Sequence, residues 1–195
     1  MDRETSRRKL LALGAGLLAL AGSSLGTLHE GHAKKNKKGK KKHKNKGGKG
    51  QGKGAGGGSG NYAPDSEERA FLDLINDYRK SNGLGALTLN NQLGAAAEYH
   101  SSDMAKKNYF KHTLANGDSS EQNIVRFGYT SYTAVGENIA AGYASAGEAM
   151  QAWKKSSEHD HNMRNSRYSE IGIGRAYSKS SKFGWYWTTT FGDRG

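Results

Sequence analysis

The hydrophobic pattern of the chain first becomes regular near residue 65. Apolar side chains then recur at i, i+3, i+4 and i+7, at Phe71, Leu74, Ile75 and Tyr78. This spacing predicts an amphipathic helix with one buried face. The sequence Asp65-Ser-Glu-Glu68 supplies a capping residue and acidic side chains for its start, and Gly83 or Gly85 ends it.

A second apolar stripe predicts a longer helix, which begins at Asn90 or Asn91 and runs to about Lys107. Its buried face consists of Leu93, Ala96, Ala97, His100 and Met104. His100 falls on this apolar face four positions before Met104. We therefore expect a buried packing role for His100 rather than a role as a metal ligand.

Two shorter helices are predicted by capping boxes, in which a Ser or Asp precedes a Glu by three positions. The first box is Asp118-Ser-Ser-Glu121, and its helix ends before Gly128. The second box is Ser145-Ala-Gly-Glu148, and its helix leads to Trp153.

The hydrophobic period changes toward the C-terminus. Residues 171–177, a polar turn of Ser and Lys, and residues 183–191 predict a β-hairpin rich in aromatic residues and threonine. Residues 135–143 predict a further strand. Helices in the first part and a hairpin at the end indicate an α+β domain of packed layers.

The N-terminus, residues 1–33, has the pattern of an export signal. A twin-arginine pattern at residues 6–11 leads into an uncharged apolar stretch, which reaches residue 28 and is diluted by six Gly and Ser residues. A stable membrane span needs about 20 strongly apolar residues. We therefore predict a twin-arginine-type signal peptide cleaved after Ala33. The alternative is an uncleaved N-terminal anchor.

A lysine-rich segment follows. Residues 34–60 contain eleven lysines, no acidic residue and no residue able to build a core. We predict a disordered linker over residues 34–64, because nothing offsets the entropy lost on ordering. Lysine runs bind polyanions through counterion release, so anionic cell-surface polymers are its expected partners, with a solubilising spacer as the alternative. No aromatic residue interleaves the lysines, so we predict no specific nucleic-acid binding.

The linker accounts for the basic character of the chain. The whole sequence carries a formal charge of +12, and residues 61–195 are neutral overall. The chain contains no cysteine, so no disulfide can stabilise it. The domain predicted at residues 65–195 must therefore depend on one hydrophobic core, for which its length is sufficient. We expect a monomer.

Three short segments of this domain carry side chains that bind metal ions or move protons near neutral pH. They are Tyr109-Phe-Lys-His112, Gly136-Glu-Asn-Ile-Ala140 and Trp153-Lys-Lys-Ser156-Ser-Glu158-His159-Asp-His161-Asn162. They are far apart in sequence, so only folding brings them together. Two imidazoles and one carboxylate form either an open coordination shell for a divalent cation or a hydrogen-bonded latch.

In this order the segments resemble the CAP superfamily of cysteine-rich secretory, antigen 5 and pathogenesis-related 1 proteins, in particular its bacterial, cysteine-free branch. The resemblance covers about residues 71–191. It includes Leu74-Ile-Asn-Asp-Tyr-Arg79, His100-Ser-Ser-Asp-Met-Ala105, Ile171-Gly-Ile-Gly174 and Trp185-Tyr-Trp-Thr-Thr-Thr-Phe191. It implies an SCP-like extracellular domain, a three-layer α-β-α sandwich with a central antiparallel sheet.

The resemblance also implies a cleft lined by a His/Glu cluster. Its expected members are His112, Glu137 and His159, which are also the expected ligands of zinc or another divalent cation if one is bound. Relatives with four such groups often carry Glu three residues after the tryptophan, where this chain has Ser156. Glu158 either replaces that carboxylate or faces water.

The function implied by the resemblance is a secreted or surface-associated binding module for a small lipid, peptide or wall-derived ligand. Two alternatives stay open: a metal-dependent hydrolase of peptide or cell-wall substrates, and a surface adhesion protein targeted by its polycationic linker. A serine hydrolase is disfavoured, because Ser156 near His159 lacks a Gly-x-Ser-x-Gly elbow and an oxyanion donor. His161 is a further candidate ligand, expected on a turn or loop.

Overall fold

The structure is a computed structural model that describes residues 31–32 and 62–195. The predicted signal peptide lies outside these residues except for Gly31 and His32, and the linker lies outside except for residues 62–64. The elements are β1 (Gly31–His32), α1 (Ser66–Ser81), β2 (Thr88–Leu89), α2 (Asn91–Lys107), α3 (Ser120–Arg126), β3 (Ala134–Ala141), α4 (Ala146–Lys154), α5 (Ser157–Met163), β4 (Glu170–Tyr177) and β5 (Trp185–Asp193). Within these ranges no helix has both the length and the apolar character needed to cross a bilayer.

The two long helices begin where the sequence predicts. Before α1, the carboxylate of Asp65 accepts two backbone N–H groups of the first turn, and Glu68 accepts the N–H of Asp65. Before α2, the side chain of Asn90 accepts two N–H groups in the same manner. Both predictions are confirmed, although Leu74 is 38% exposed and does not belong to the buried stripe.

The start of α3 differs from the prediction. Its capping box pairs Ser119 with Gln122, each side chain bonding the backbone of the other residue, rather than Asp118 with Glu121. The carboxylate of Asp118 instead forms an ion pair with Arg126 at the end of the same helix. The helix still ends before Gly128, and the box predicted for α4 is confirmed.

The segment after Trp153, which the sequence indicates to be a turn, is the helix α5. Local signals for this helix are weak, because Ser156 occupies the N-cap position without making a side-chain cap bond. Burial of His159 and Met163 is what holds the segment against the rest of the domain. Tertiary packing therefore determines this helix more than its own sequence does.

Within the described residues, a five-stranded sheet forms the middle layer in the order β1-β3-β5-β4-β2. Its long strands β3, β5 and β4 are antiparallel, and β4–β5 is the predicted hairpin. The two-residue strands β1 and β2 pair in parallel with β3 and β4 at the edges. The predicted antiparallel centre is confirmed, and the parallel edges make the sheet mixed.

Helices cover both faces of the sheet, which confirms the α-β-α sandwich. The core on the side of α1, α4 and α5 includes Phe71, Ile75, Trp153, Met163, Trp187 and Phe191. The core on the side of α2 and α3 includes Leu93, Ala96, Met104, Ile139 and Tyr186. α2 lies very close to β4, since a Cβ on Gly174 would be 2.2 Å from the backbone nitrogen of Glu98.

Strand β3 carries the Gly-Glu-Asn segment and separates two of its residues. Glu137 points to the face covered by α2, where it contacts His100, and Asn138 points to the face of α5, where it bonds the backbone of His159. β1 pairs only with residues 140 and 141 of β3. In the described part of the chain, side chains from both faces therefore meet at an open edge of the sheet.

Candidate functional site

Glu137 is the centre of a buried side-chain cluster. Its side chain is 2% exposed, and each carboxylate oxygen contacts one imidazole ring. Oε2 lies 2.8 Å from Nδ1 of His100, and Oε1 lies 2.8 Å from Nδ1 of His112. One acid on β3 thus joins helix α2 to the loop that follows it.

His100 is completely buried and lies between two oxygen acceptors. Nδ1 faces the Glu137 carboxylate, and Nε2 lies 3.1 Å from the backbone oxygen of Lys111. A carbonyl oxygen only accepts hydrogen bonds, and so does an ionised carboxylate. His100 makes both bonds to an ionised Glu137 when each ring nitrogen carries a hydrogen, and in that state the two side chains form a buried ion pair.

Opposing effects act on the pKa of the Glu137 carboxyl. Burial by itself raises this pKa, but the charge of His100 and the hydrogen bonds from His100 and His112 outweigh burial. The pKa of Glu137 consequently lies below its ordinary value. The side chain is a carboxylate near neutral pH, as the hydrogen bonds to the two rings require.

His112 is the cluster member that reaches solvent. Its side chain is 44% exposed, and its ring donates Nδ1–H to the Glu137 carboxylate. A neutral imidazole bonded in this way carries its lone pair on Nε2, on the other side of the ring. The cluster therefore presents an imidazole whose tautomer is set by a buried acid.

The loop that carries His112 is held on both sides of that residue. Before it, His100 bonds the backbone oxygen of Lys111. After it, the backbone N–H of Ala115 donates to the carboxylate of Asp103 on α2 at 3.2 Å. The hydroxyl of Tyr109 donates to the same carboxylate at 2.7 Å. These bonds restrict the backbone of the loop, so His112 is positioned before any ligand arrives.

His159 approaches the same edge of the sheet from α5. It is buried, its Nδ1 makes no hydrogen bond, and its ring centroid lies 6.3 Å from that of Trp153. Burial and the nearby charge of His112 lower the pKa of His159 to about 4, so His159 is neutral at pH 7.

Two asparagines fasten α5 to β3. Asn138 is completely buried and donates from its side chain to the backbone oxygen of His159 at 3.0 Å. Asn162 donates to the side chain of Asn138 at 2.9 Å and to the backbone oxygen of Glu137 at 3.2 Å. These bonds satisfy polar groups at the open edge of β3 and fix His159 relative to Glu137.

The other residues predicted for the cleft lie at the edge of the cluster or face solvent. Glu158 and His161 are exposed on α5, and Ser156 is half-buried at the N-cap position of that helix. Of the predicted set, the structure brings Glu137 and His112 into contact, and His159 lies on α5, which bonds to the strand that carries Glu137. A ligand-binding role for these residues stays a prediction.

His100 is the cluster member that the sequence interpretation missed. Its expected burial is confirmed, but its ion pair with Glu137 is not visible in the sequence, because 37 positions separate the two residues. One signal was present. A histidine on an otherwise apolar helix face must find a polar partner when it is buried.

The predicted metal ligands do not form a three-donor set in this arrangement. Each oxygen of Glu137 is bonded to one imidazole nitrogen, which leaves each oxygen one further acceptor position. In residues 62–195, no group of three or more His, Cys, Asp or Glu side chains is arranged to hold a metal ion. Zinc or another divalent cation therefore remains a prediction from the resemblance.

Residues 72–191 match the cysteine-rich secretory protein (CAP) family. The chain is 35% identical over 124 residues to the uncharacterized protein YkwD of Bacillus subtilis, covering 64% of this chain and 46% of YkwD. It is 32% identical over 109 residues to the uncharacterized membrane protein YlbC of the same organism, covering 56% of this chain and 31% of YlbC. The matched segment thus spans less than half the length of either relative.

Solved structures of bacterial proteins share the fold. An outer surface protein from Borrelia burgdorferi aligns with a TM-score of 0.59 and 22% identity, covering 66% of this chain and 93% of that one. An extracellular protein with an SCP domain from Bacillus anthracis aligns with a TM-score of 0.58 and 28% identity, covering 65% of this chain and 40% of that one.

Proposed function

This chain belongs to the cysteine-rich secretory protein (CAP) family, and from that premise we propose that it is an exported binding domain. The proposed site is the cluster of His112, Glu137 and His159. The proposed ligand is a small lipid, peptide or wall-derived molecule. Similarity to an extracellular SCP-domain protein supports export to the cell surface.

One observation carries the proposal: a buried ion pair holds a half-exposed imidazole in a fixed orientation. Burying Glu137 and His100 together costs desolvation energy, and such a pair contributes little to stability compared with apolar residues of similar volume. A binding role for His112 would explain this arrangement, which stability alone does not explain. The half-exposed ring of His112 would form a hydrogen bond with a hydroxyl or amide group of the ligand.

The chemistry of the cluster favours binding over catalysis. Both oxygens of Glu137 are bonded to imidazoles, so the acid is not placed to remove a proton from water. The chain has no cysteine to act as a nucleophile. Ser156 lies at the start of α5, and no nucleophile elbow surrounds it.

Binding titrations with the full exported chain test the proposal. The probes are muropeptides released from purified cell wall, a short synthetic peptide and a short-chain phospholipid. We expect at least one of them to bind, and His112→Ala to weaken its binding by about tenfold. The matched control is His161→Ala, because His161 is exposed on α5. Equal affinities for the wild type and His112→Ala would contradict the proposal.

A metal-dependent hydrolase is the second candidate function. One observation favours it: the bond from Nδ1 of His112 to a buried carboxylate is the kind of support that metal-ligating histidines have. His112 and His159 would hold the ion with Glu137 as their support, and the ion would supply an activated water. Stoichiometric zinc in the natively exported protein, lost in His159→Ala, would favour this candidate. A metal-free protein would count against it.

The lysine-rich segment supports a further part of the proposal, attachment to anionic polymers of the cell surface. Residues 34–60 contain eleven lysines and no acidic residue, whereas residues 61–195 are neutral overall. Attachment through such a segment weakens as the salt concentration rises. Adhesion through the lysine-rich segment and ligand binding at the His/Glu cluster are therefore separable functions.

A further inference from the structure

The turn end of the β4–β5 hairpin carries an aromatic surface that the proposed site does not use. Tyr177 and Trp185 lie opposite each other on the two strands, with ring centroids 4.9 Å apart. Tyr177 is 57% exposed, more than any other large hydrophobic side chain in the described residues. We call Tyr177, Trp185 and the neighbouring Arg175 the hairpin platform.

Arg175 holds the hairpin platform in place. Its guanidinium carbon lies 4.5 Å from the ring centroid of Trp185, and its Nε lies 2.6 Å from the carboxylate of Asp65. The Arg175 side chain is only 14% exposed. Because these contacts order the rings before a ligand arrives, binding on the platform costs little side-chain entropy.

The hairpin itself is basic. Residues 171–192 contain Arg175, Lys179 and Lys182 and no acidic residue. Lys179 and Lys182 are exposed on the turn between β4 and β5. Because Asp65 offsets the charge of Arg175, the positive charge that an anionic ligand would meet comes from Lys179 and Lys182 on the turn.

The lysine-rich segment is joined to the domain at the same end of the sheet. On the N-terminal side of the segment, His32 of β1 pairs with Ala141 of β3. Ala141 also pairs with Tyr186 of β5, the residue after Trp185. On its C-terminal side, Asp65 bonds to Arg175 of the hairpin platform.

We propose that the hairpin platform binds an acidic polysaccharide. The C–H face of a sugar ring packs on an exposed aromatic ring, while its acidic groups pair with Lys179 and Lys182. Residues 178–182 are only Ser and Lys, so the hairpin has no apolar tip that could enter a lipid bilayer. One exposed ring is also fewer than the successive aromatic residues that bind single-stranded nucleic acid.

Affinity measurements with the full chain and polygalacturonate test this proposal. We expect Tyr177→Ala to weaken binding by about fivefold, and Tyr177→Phe to stay within about twofold of the wild type, because the phenyl ring preserves stacking. Val125→Ala is the control, since Val125 is 41% exposed on α3, away from the platform. Neutral dextran should bind more weakly than polygalacturonate.

Several outcomes would overturn the proposal. One is an unchanged affinity of Tyr177→Ala, because the linker lysines would then explain the binding alone. Others are no binding of the wild type to polygalacturonate, or tighter binding to oligo(dT) or to phosphatidylglycerol vesicles. His112→Ala should leave polygalacturonate binding unchanged, because this binding does not involve the cluster of His112, Glu137 and His159. Equal unfolding midpoints for the wild type and Tyr177→Ala would show that the variant folds.

Discussion

The carboxylate of Glu137 stays ionised inside the domain because His100 and His112 both donate hydrogen bonds to it. Glu137→Ala leaves the buried His100 without its acid, so we expect the free energy of unfolding to fall by about 3 kcal/mol. Chemical denaturation followed by tryptophan fluorescence measures this change. The matched control is Glu158→Ala, which removes an exposed acid and should change stability by less than about 0.5 kcal/mol. Equal losses of unfolding free energy in Glu137→Ala and Glu158→Ala would contradict the buried pair of His100 and Glu137.

His159 makes stability depend on pH. Burial and the charge of His112 lower its pKa from the ordinary 6.5 to about 4. Between these values the unfolded chain binds a proton that the folded chain does not. This contribution to stability is therefore complete above pH 6.5 and is lost as the pH falls toward 4.

The variant His159→Gln cannot titrate at this position and isolates the effect. From pH 7 to pH 4, the stability advantage of the wild type over the variant should shrink by about 1–3 kcal/mol. Denaturant unfolding at a series of pH values gives both curves. Curves that run parallel across this range would show that the buried imidazole is not the cause.

At the residue scale, the sequence showed which side chains could bind a metal ion or move a proton, but not which of them contact each other in the fold. The resemblance pointed to His112, Glu137 and His159, and the structure shows a contact between the first two, with His159 on the helix that bonds to β3. The bond between His100 and Glu137 depends on α2 packing against β4 and β5 on the face of the sheet to which Glu137 points. Helical periodicity indicates that His100 is buried, but it contains no information about the residue on the facing strand.

At the scale of elements, the contact between α2 and β4 depends on glycine. A Cβ on Gly174 would lie 2.2 Å from a backbone nitrogen of α2, so Gly174→Ala should lower the free energy of unfolding by about 2 kcal/mol. Gly147→Ala is the matched control in α4, where nothing lies within 4 Å of the added Cβ. It should be neutral or stabilising by up to about 1 kcal/mol. Similar losses in both variants, measured by denaturant unfolding, would refute close packing of α2 on β4.

The elements that the sequence predicted are those whose signals are local. α1, α2 and α4 have a cap and an apolar stripe, and the hairpin has alternating residues around a polar turn. α5 has neither, because its seven residues include only one apolar side chain, Met163. Its helical form follows from contacts with β3 and α4, which no local pattern encodes.

At the scale of the whole molecule, charge and packing occupy different parts of the chain. The positive charge lies in residues 34–60, and the hydrophobic core begins at Tyr62. Replacing residues 34–60 with a Gly/Ser segment of equal length should reduce retention on purified cell walls and nearly abolish its salt dependence. Elution across a salt series measures both. An unchanged elution profile would mean that the folded domain, not the lysines, carries attachment.

The overall architecture was more predictable than the order of its strands. Changing periodicity along the chain indicates an α+β domain, and the family resemblance adds the layered sandwich. The parallel pairing of β2 with β4 joins residues about 80 positions apart and involves only two residues of each strand. Hydrophobic periodicity does not reveal the pairing of two-residue strands that are this far apart in sequence.

The central claim is that His112, oriented by buried Glu137, binds a small ligand. The most direct test is a crystal structure of the exported full chain with the tightest-binding muropeptide, peptide or phospholipid probe. The account predicts ligand density within about 3 Å of Nε2 of His112, while Glu137 keeps its bonds to His100 and His112. Ligand density at another site, with no contact to His112, would contradict it.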